Sequence, residues 1–413
     1  MLKKIWESKK IEVCRILTIF VQNPIVMKAK SIFLLAFACI LSVSCTLSDN
    51  RVKSLKDAYD GSFKIGCAIS PFMVSGRNPE AVELLLTHFN ALSPDNAMKP
   101  ESLHPGPDIW NFGPADAYCA FGREHGMFVL GHTLCWHNQT PEFFWTRPDG
   151  TPKSREELVE TLRSYIETVV THFAGKVDAW DVVNEIIAED GGFRNLGWVK
   201  AFGGDGYEVA RLAFQFAKEY APEGTELYYN EFNVWRPSKL EGVINLVRRL
   251  RADGLRVDGV GIQAHWGLNY PKNEYIENAI EQLAALGVKV MITELDVDVL
   301  PISKEGQVIG QSLQDPQYQL EEFEEFLDPY KDGLPGEVED QLAARYEELF
   351  RIFYNHRDQI DRVTFWGLHD GASWKNGYPI PGRTNYPLLF KRDLTPHKAL
   401  AKVLAIPEPG TEE

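Results

Sequence analysis

Two glutamates sit where a strand has little structural use for them. "VDAWDVVNE" (177–185) and "VKVMITELD" (288–296) are mainly apolar runs that deliver Glu185 and Glu294 at or near their far ends. One reading is a buried ion pair for each, with Lys99 or an arginine as partner. The other is hydrolysis of a glycosidic bond. That reaction needs one carboxylic acid to protonate the leaving oxygen and one carboxylate to attack the anomeric carbon or activate water. Spacing alone does not say which glutamate does which.

Other polar residues close strand-like runs in the same way. "SPDNAMKPE" carries Asn96 and Lys99, "GHTLCWHNQ" carries His132, Trp136 and Gln139, and "VVNE" adds Asn184. "YYNEFN" carries Asn230, "GIQAHW" carries Gln263 and His265, "ITELD" adds Asp296, and "FWGLHDGASW" carries Trp366 and Trp374. Taken singly, each has a bland explanation: a solvated lysine, a hydrogen-bonded core histidine. Together they present more desolvated donors and acceptors than a stable fold has use for, unless a polyhydroxylated ligand satisfies them. The amides and histidines would bond sugar hydroxyls, and the tryptophans would stack on ring faces. Metal chemistry is not expected. His132, His137 and His265 lack H-x-H or H-E-x-x-H spacing, and on one strand His132 and His137 would face opposite sides. No G-x-S-x-G elbow supports acyl transfer.

The elements that must position these residues alternate. Candidate strands lie at 63–69, 88–94, 127–136, 177–185, 226–233, 257–266, 288–296 and 362–370. Helical spacing fills the intervals, as at 154–175, where Ser154 and Glu157 form a capping-box pattern, and at 237–254 and 273–287. Eight βα units predict a single α/β domain, a (β/α)8 TIM barrel, with the polar strand ends gathered on one face. A doubly wound sheet is the rival, weakened because no G-x-G-x-x-G follows the first strand. The stretch 301–340 reads as an enlarged loop after strand seven.

The chain has 413 residues and a net charge of −15, which argues against nucleic acid as partner. Its cysteines, at 14, 39, 45, 67, 119 and 135, contain no C-x-x-C pair, and the last three read as buried thiols. "MKAKSIFLLAFACILSVSC" (27–45) has the layout of a signal peptide. Cys45 stands where a lipoprotein signal is cleaved and lipidated, which implies secretion or an outer-membrane lipoprotein of a bacterium with no other membrane contact. Residues 1–26 read as an upstream extension ahead of Met27, 46–58 as a tether, 59–406 as the catalytic domain and 407–413 as a tail. A monomer without cofactor or metal is expected.

"DNAMKPE", "GHTLCWHNQTP", "WDVVNE", "GIQAHW", "ITELD" and "GRTNYPLLF", in that order, resemble glycoside hydrolase family 10, whose typical members are endo-β-1,4-xylanases. The resemblance runs from about residue 59 to about 405. It implies a retaining β-glycanase acting on xylan and xylo-oligosaccharides, with Glu185 as acid/base and Glu294 as nucleophile. A cellulase or mixed-linkage glucanase on the same barrel is the alternative, and a non-catalytic glycan-binding lipoprotein a more distant one. By the same resemblance Asn184 would meet the 2-hydroxyl, and His265, held by Asp296, would orient Glu294. Asn96, Lys99, His132, Trp136 and Gln139 would form the non-reducing-side subsites with Trp366 and Trp374. A retaining acid is expected to have a raised pKa. Glu231, where the family more often has Asp, and His369, where Thr is common, depart from the pattern.

Overall fold

The computed structural model describes residues 54–300 and 327–407. The leader at 27–45, Cys45 and most of the loop assigned to 301–340 lie outside the described residues.

Among the described residues there are nine parallel strands: β1 (Lys64–Ile69), β2 (Ala91–Pro94), β3 (Phe128–Cys135), β4 (Ala179–Asn184), β5 (Glu226–Glu231), β6 (Gly259–Ile262), β7 (His265–Gly267), β8 (Lys289–Asp298) and β9 (Ile360–Phe365). The sheet runs in the order β6-β5-β4-β3-β2-β1-β9-β8, and β6 pairs with β8 to close it. That is an eight-stranded barrel, the architecture the alternating pattern predicts, with β7 an extra three-residue segment bonded to the end of β8. The seventh predicted strand is therefore β8 and the eighth is β9.

Helices α1 (Leu55–Ala58), α2 (Pro79–His88), α3 (Gly113–Glu124), α4 (Arg155–His172), α5 (Gly206–Tyr220), α6 (Pro237–Ala252), α7 (Asn273–Ala284), α8 (Gly336–Asn355) and α9 (Lys398–Ala405) are the longer or terminal ones. In α4 the Ser154 hydroxyl accepts from the Glu157 amide and the Glu157 carboxylate accepts from the Ser154 amide, so the predicted box forms. The main core lies between strands and helices. Inside the barrel a smaller cluster of Leu130, Ala179, Tyr228 and Met291 fills the base. Gly131 matters here because the Trp180 ring of β4 lies where its Cβ would be, 2.3 Å away, so no side chain fits between β3 and β4.

Several boundaries differ from the sequence reading. The sixth strand is not continuous over 257–266: it breaks after Ile262, where Ala264 takes φ +65°. The eighth stops at Phe365 rather than 370, and Gly367 at φ +139° turns the chain away. Residue 88 belongs to α2, so β2 begins at Ala91. The loop after strand seven ends before 340, since α8 starts at Gly336. Leu55 of α1 is fully buried, so the tether assigned to 46–58 gives up its last residues to the domain. Cys67, Cys119 and Cys135 are buried free thiols.

Candidate active site

A cavity of about 1280 Å³ opens over the C-terminal ends of the strands. Twelve residues singled out from sequence line it: Asn96, Lys99, His132, Trp136, Gln139, Asn184, Glu185, Gln263, His265, Glu294, Trp366 and Trp374. Asn230 and Asp296 do not line it, but each holds residues that do. Glu231 and His369, the two departures, lie off its wall. Glu231 is fully buried and ties the ends of β4 and β5, accepting from the Ile187 and Phe232 amides at 3.0 Å and pairing with Lys239 at 3.1 Å.

The strand ends adopt unusual backbone geometry at this rim. Glu185 has φ +56°, Gln139 +44° and Ala264 +65°, a region that side-chain-bearing residues avoid at a cost of order 1–3 kcal/mol. At Glu185 the twist turns the chain out of β4 just where its amide donates to the Asn230 carbonyl at 2.9 Å. A strand continuing in regular geometry would place the carboxylate by simple alternation; the positive φ re-aims it.

Each carboxylate is held by its own donors. Trp136 Nε1 donates to Glu185 Oε2 at 2.9 Å and Gln263 Nε2 donates to Oε1 at 2.9 Å. Asn230 Nδ2 donates to Glu294 Oε1 at 2.8 Å, and His265 Nε2 lies 3.1 Å from Oε2. The opposite ring nitrogen, Nδ1, is 2.9 Å from Asp296 Oδ2, which also accepts from Trp374 Nε1 at 2.8 Å. Amides link the two halves. Asn184 Oδ1 accepts from Asn230 at 3.0 Å and from Gln263 at 3.3 Å. The same two amides bond Glu294 and Glu185, so Asn230, Asn184 and Gln263 tie the glutamates into one array. Asn184 Nδ2 has no protein partner among the described residues and is left to donate to a ligand.

Beside this array Lys99 Nζ donates to Asn96 Oδ1 and Gln139 Oε1, both at 2.8 Å, and lies 5.1 Å from the centre of the Trp136 ring. Gln139 Nε2 donates to Glu101 Oε1 at 2.8 Å, which adds a residue the sequence reading missed. His132 Nδ1 is 2.8 Å from Asp181 Oδ2, both buried. Asp181, four residues before Glu185 in the same polar strand, was visible in "VDAWDVVNE" but received no role. The site also includes His137 and Arg194, likewise unassigned. The expectation that His132 and His137 face opposite sides does not hold: β3 ends at Cys135 with a register shift after His132, and both line the cavity.

The electrostatics follow from these partners. Burial lowers the basicity of His265, but Asp296 and Glu294 outweigh it and raise its pKa to about 9, so the ring is a cation at neutral pH. Burial likewise pushes Asp296 up, while His265, Lys375 and the bond from Trp374 bring it below its ordinary value. Burial pushes Glu185 up as well. Protonated His137, the donors Gln263 and Trp136, and Arg194 together reverse this and hold it below the usual carboxylate range. The raised value expected for an acid is thus not what this arrangement produces. His137 itself is held below the usual histidine value, first by burial and then by Arg194 and Lys239. Once it is neutral its pull on Glu185 disappears.

Comparison with known proteins agrees with this geometry. The profile of glycosyl hydrolase family 10 matches residues 54–406. A protein named endo-1,4-beta-xylanase A from Xylanibacter ruminicola is 37% identical over 357 residues, 86% of this chain and 94% of its own. Among solved structures, a GH10 endoxylanase retrieved from sugarcane soil metagenome superposes with a TM-score of 0.78 at 35% identity, covering 86% of this chain and all of the other (100%). A mutant structure in complex with xylotriose superposes with a TM-score of 0.73, also at 35% identity, over 86% of this chain and 99% of the other. The chain belongs to glycosyl hydrolase family 10.

Proposed function

We propose that this protein is an endo-1,4-β-xylanase that hydrolyses internal xylosidic bonds with retention, Glu294 acting as nucleophile and Glu185 as acid and then base. The observation that carries the reading is the amide array joining a buried carboxylate, Glu294, and a half-buried one, Glu185, that have otherwise separate supports. Glu294 is oriented by an imidazolium and an amide, which fix one oxygen for attack on the anomeric carbon. Glu185 is held by donors that a sugar can replace. When Trp136 or Gln263 turns to a ligand oxygen, the carboxyl loses a bond that stabilised its charged form, and it binds a proton more readily. It then protonates the leaving oxygen as Glu294 attacks. Formation of the covalent intermediate neutralises Glu294, and ionised Glu185 activates the incoming water.

The xylan substrate is supported by the relatives' names and by the xylotriose bound to a similar protein. Amide-rich and aromatic walls suit a neutral chain of sugars. The polymer is too large to cross a membrane, which fits the leader read at 27–45 and lipidation at Cys45. The test is release of reducing ends from xylan against carboxymethylcellulose. Xylan is expected to be strongly preferred, and equal or greater activity on the cellulose derivative would replace this reading with a cellulase.

A further inference from the structure

The backbones that carry the two glutamates are not fixed in the same way. Glu294 lies inside β8, with strand residues on either side. Glu185 lies one residue past the end of β4, at φ +56°. The direction of its side chain follows from the peptide planes before and after it. The first is held by the sheet, since the Glu185 amide donates to the Asn230 carbonyl at 2.9 Å. The chain after Glu185 has left the sheet, and other groups have to hold it.

Two side chains do so. Arg194 Nε donates to the Glu185 carbonyl at 3.0 Å, and Glu231 Oε2 accepts from the Ile187 amide at 3.0 Å. Arg194 is half-buried on a long stem, whereas Glu231 is fully buried at the end of β5, which makes it the rigid anchor of the two. A buried carboxylate persists only where its oxygens are satisfied. Oε2 also accepts from the Tyr229 hydroxyl at 2.5 Å, while Oε1 accepts from the Phe232 amide at 3.0 Å and meets Lys239 Nζ at 3.1 Å. Lys239, fully buried on α6, reaches on to Glu189 Oε1 at 2.9 Å, in the turn that follows Glu185. Gly191 seats that turn on α6 at φ +87°, where a Cβ would meet the Ser238 carbonyl at 2.4 Å. Apolar residues of similar volume often fill the place of a buried ion pair with no loss of stability, but they could not direct the Ile187 amide. Neither Glu231 nor Lys239 lines the cavity.

We infer that Glu231, paired with Lys239, is the positioning residue of the acid/base: it fixes the chain that follows Glu185 and so aims the Glu185 carboxyl at the leaving oxygen. It serves Glu185 through the backbone as Asp296 serves Glu294 through the His265 ring. This rests on the xylanase reading and adds to it a residue that touches neither sugar nor reacting atom. The consequence is selective. A misaimed Glu185 impairs protonation of the leaving oxygen and activation of water, the two steps it serves, and spares attack by Glu294.

The test separates these steps by leaving group. The parent enzyme, Glu231→Gln and Glu231→Asp are compared by kcat/KM on xylohexaose, whose leaving oxygen needs a proton, and on dinitrophenyl β-xylobioside, whose leaving group departs without one. Glu231→Gln keeps the size of the side chain and is expected to lose about 30-fold on xylohexaose but less than about threefold on the aryl glycoside. Glu231→Asp keeps the charge opposite Lys239 and should lose about fivefold on xylohexaose with the same selectivity, so it carries the comparison if Glu231→Gln folds poorly. Added azide needs no base: it attacks the anomeric carbon of the covalent intermediate, releases the Glu294 carboxylate and yields xylobiosyl azide. It should raise kcat of the variants on the aryl glycoside by about twofold or more and leave the parent unchanged. Equal losses on the two substrates, no loss on either, or no response to azide would overturn the proposal. A parent enzyme inactive on xylohexaose would instead break the xylanase reading itself.

Discussion

The two ends of this barrel carry similar residue types to different effect. At the base, Lys64, Lys289 and Asp361 surround a cavity of about 440 Å³. Lys64 meets Asp361 at 3.2 Å, and Lys289 bridges Asp361 at 3.4 Å and Glu226 at 2.7 Å. Arg362 is buried and lies 4.9 Å from the centre of the Phe128 ring. Lys64, Lys289, Asp361 and Glu226 pair with one another, while Arg362 Nε donates to the Thr364 hydroxyl at 3.1 Å. At the mouth the two key carboxylates are held mostly by neutral donors: an indole, two amides and, on one side only, an imidazolium. Opposite charge quenches a carboxylate, whereas exchangeable neutral donors leave it able to bind a proton or form a bond. A cavity lined with charge is therefore not a site by that fact; what matters is whether the charges have already found each other.

That contrast can be attacked from both ends. The largest effect is expected at the mouth. Glu294→Ala should abolish xylan turnover, by at least about 10⁴-fold. Glu185→Gln should lose roughly 10²–10⁴-fold on xylan, yet still react with aryl xylosides bearing good leaving groups and accumulate an adduct on Glu294. Intact-protein mass spectrometry reads that adduct, and its absence would reverse or remove the assigned roles.

A smaller effect concerns the one charged support. The folded pKa of His265, about 9, exceeds its ordinary 6.5 because Asp296 and Glu294 outweigh burial. The stability this contributes is whole below about pH 6.5 and is lost as pH rises through about 9, up to about 3 kcal/mol. Urea unfolding of the parent should show this slope between pH 6 and 10, and His265→Asn should flatten it. An unchanged slope would mean that His265 is not the titrating support.

The smallest effect belongs to the base. Asp361 is held below its ordinary value by Lys64 and Lys289 despite burial. Those lysines are 38% and 42% exposed, so water screens the pairs. Asp361→Asn is expected to cost no more than about 1 kcal/mol and to leave kcat/KM unchanged. A large fall in activity would contradict the division between base and mouth.

Much of this was legible from residues alone. Alternating strand and helix periodicity located all eight barrel strands, because burial on two faces and on one face leaves different periods in a chain. The glutamates stood out because a carboxylate ending an apolar run is costly unless it is used. Asp181 went without a role and His137 was misplaced for a common reason: what explains them is not local in sequence. Asp181 is explained by His132 on the next strand, and His137 by a strand that ends two residues before it. The interruption of the sixth strand was equally hidden, since the positive φ at Ala264 follows a Gln263 whose amide donates to the Glu231 carbonyl and whose carbonyl accepts from the Glu294 amide.

What the sequence determined by itself was the inventory and its order: eight strands, polar ends, and the two carboxylates, with a string of motifs in family sequence. Only the tertiary structure decided how Glu185 is supported and that its surroundings depress its pKa. Those properties depend on donors and charges brought within a few ångströms from different strands, and hydrogen bonds and pKa shifts fall off too steeply with distance to be read from positions along a chain.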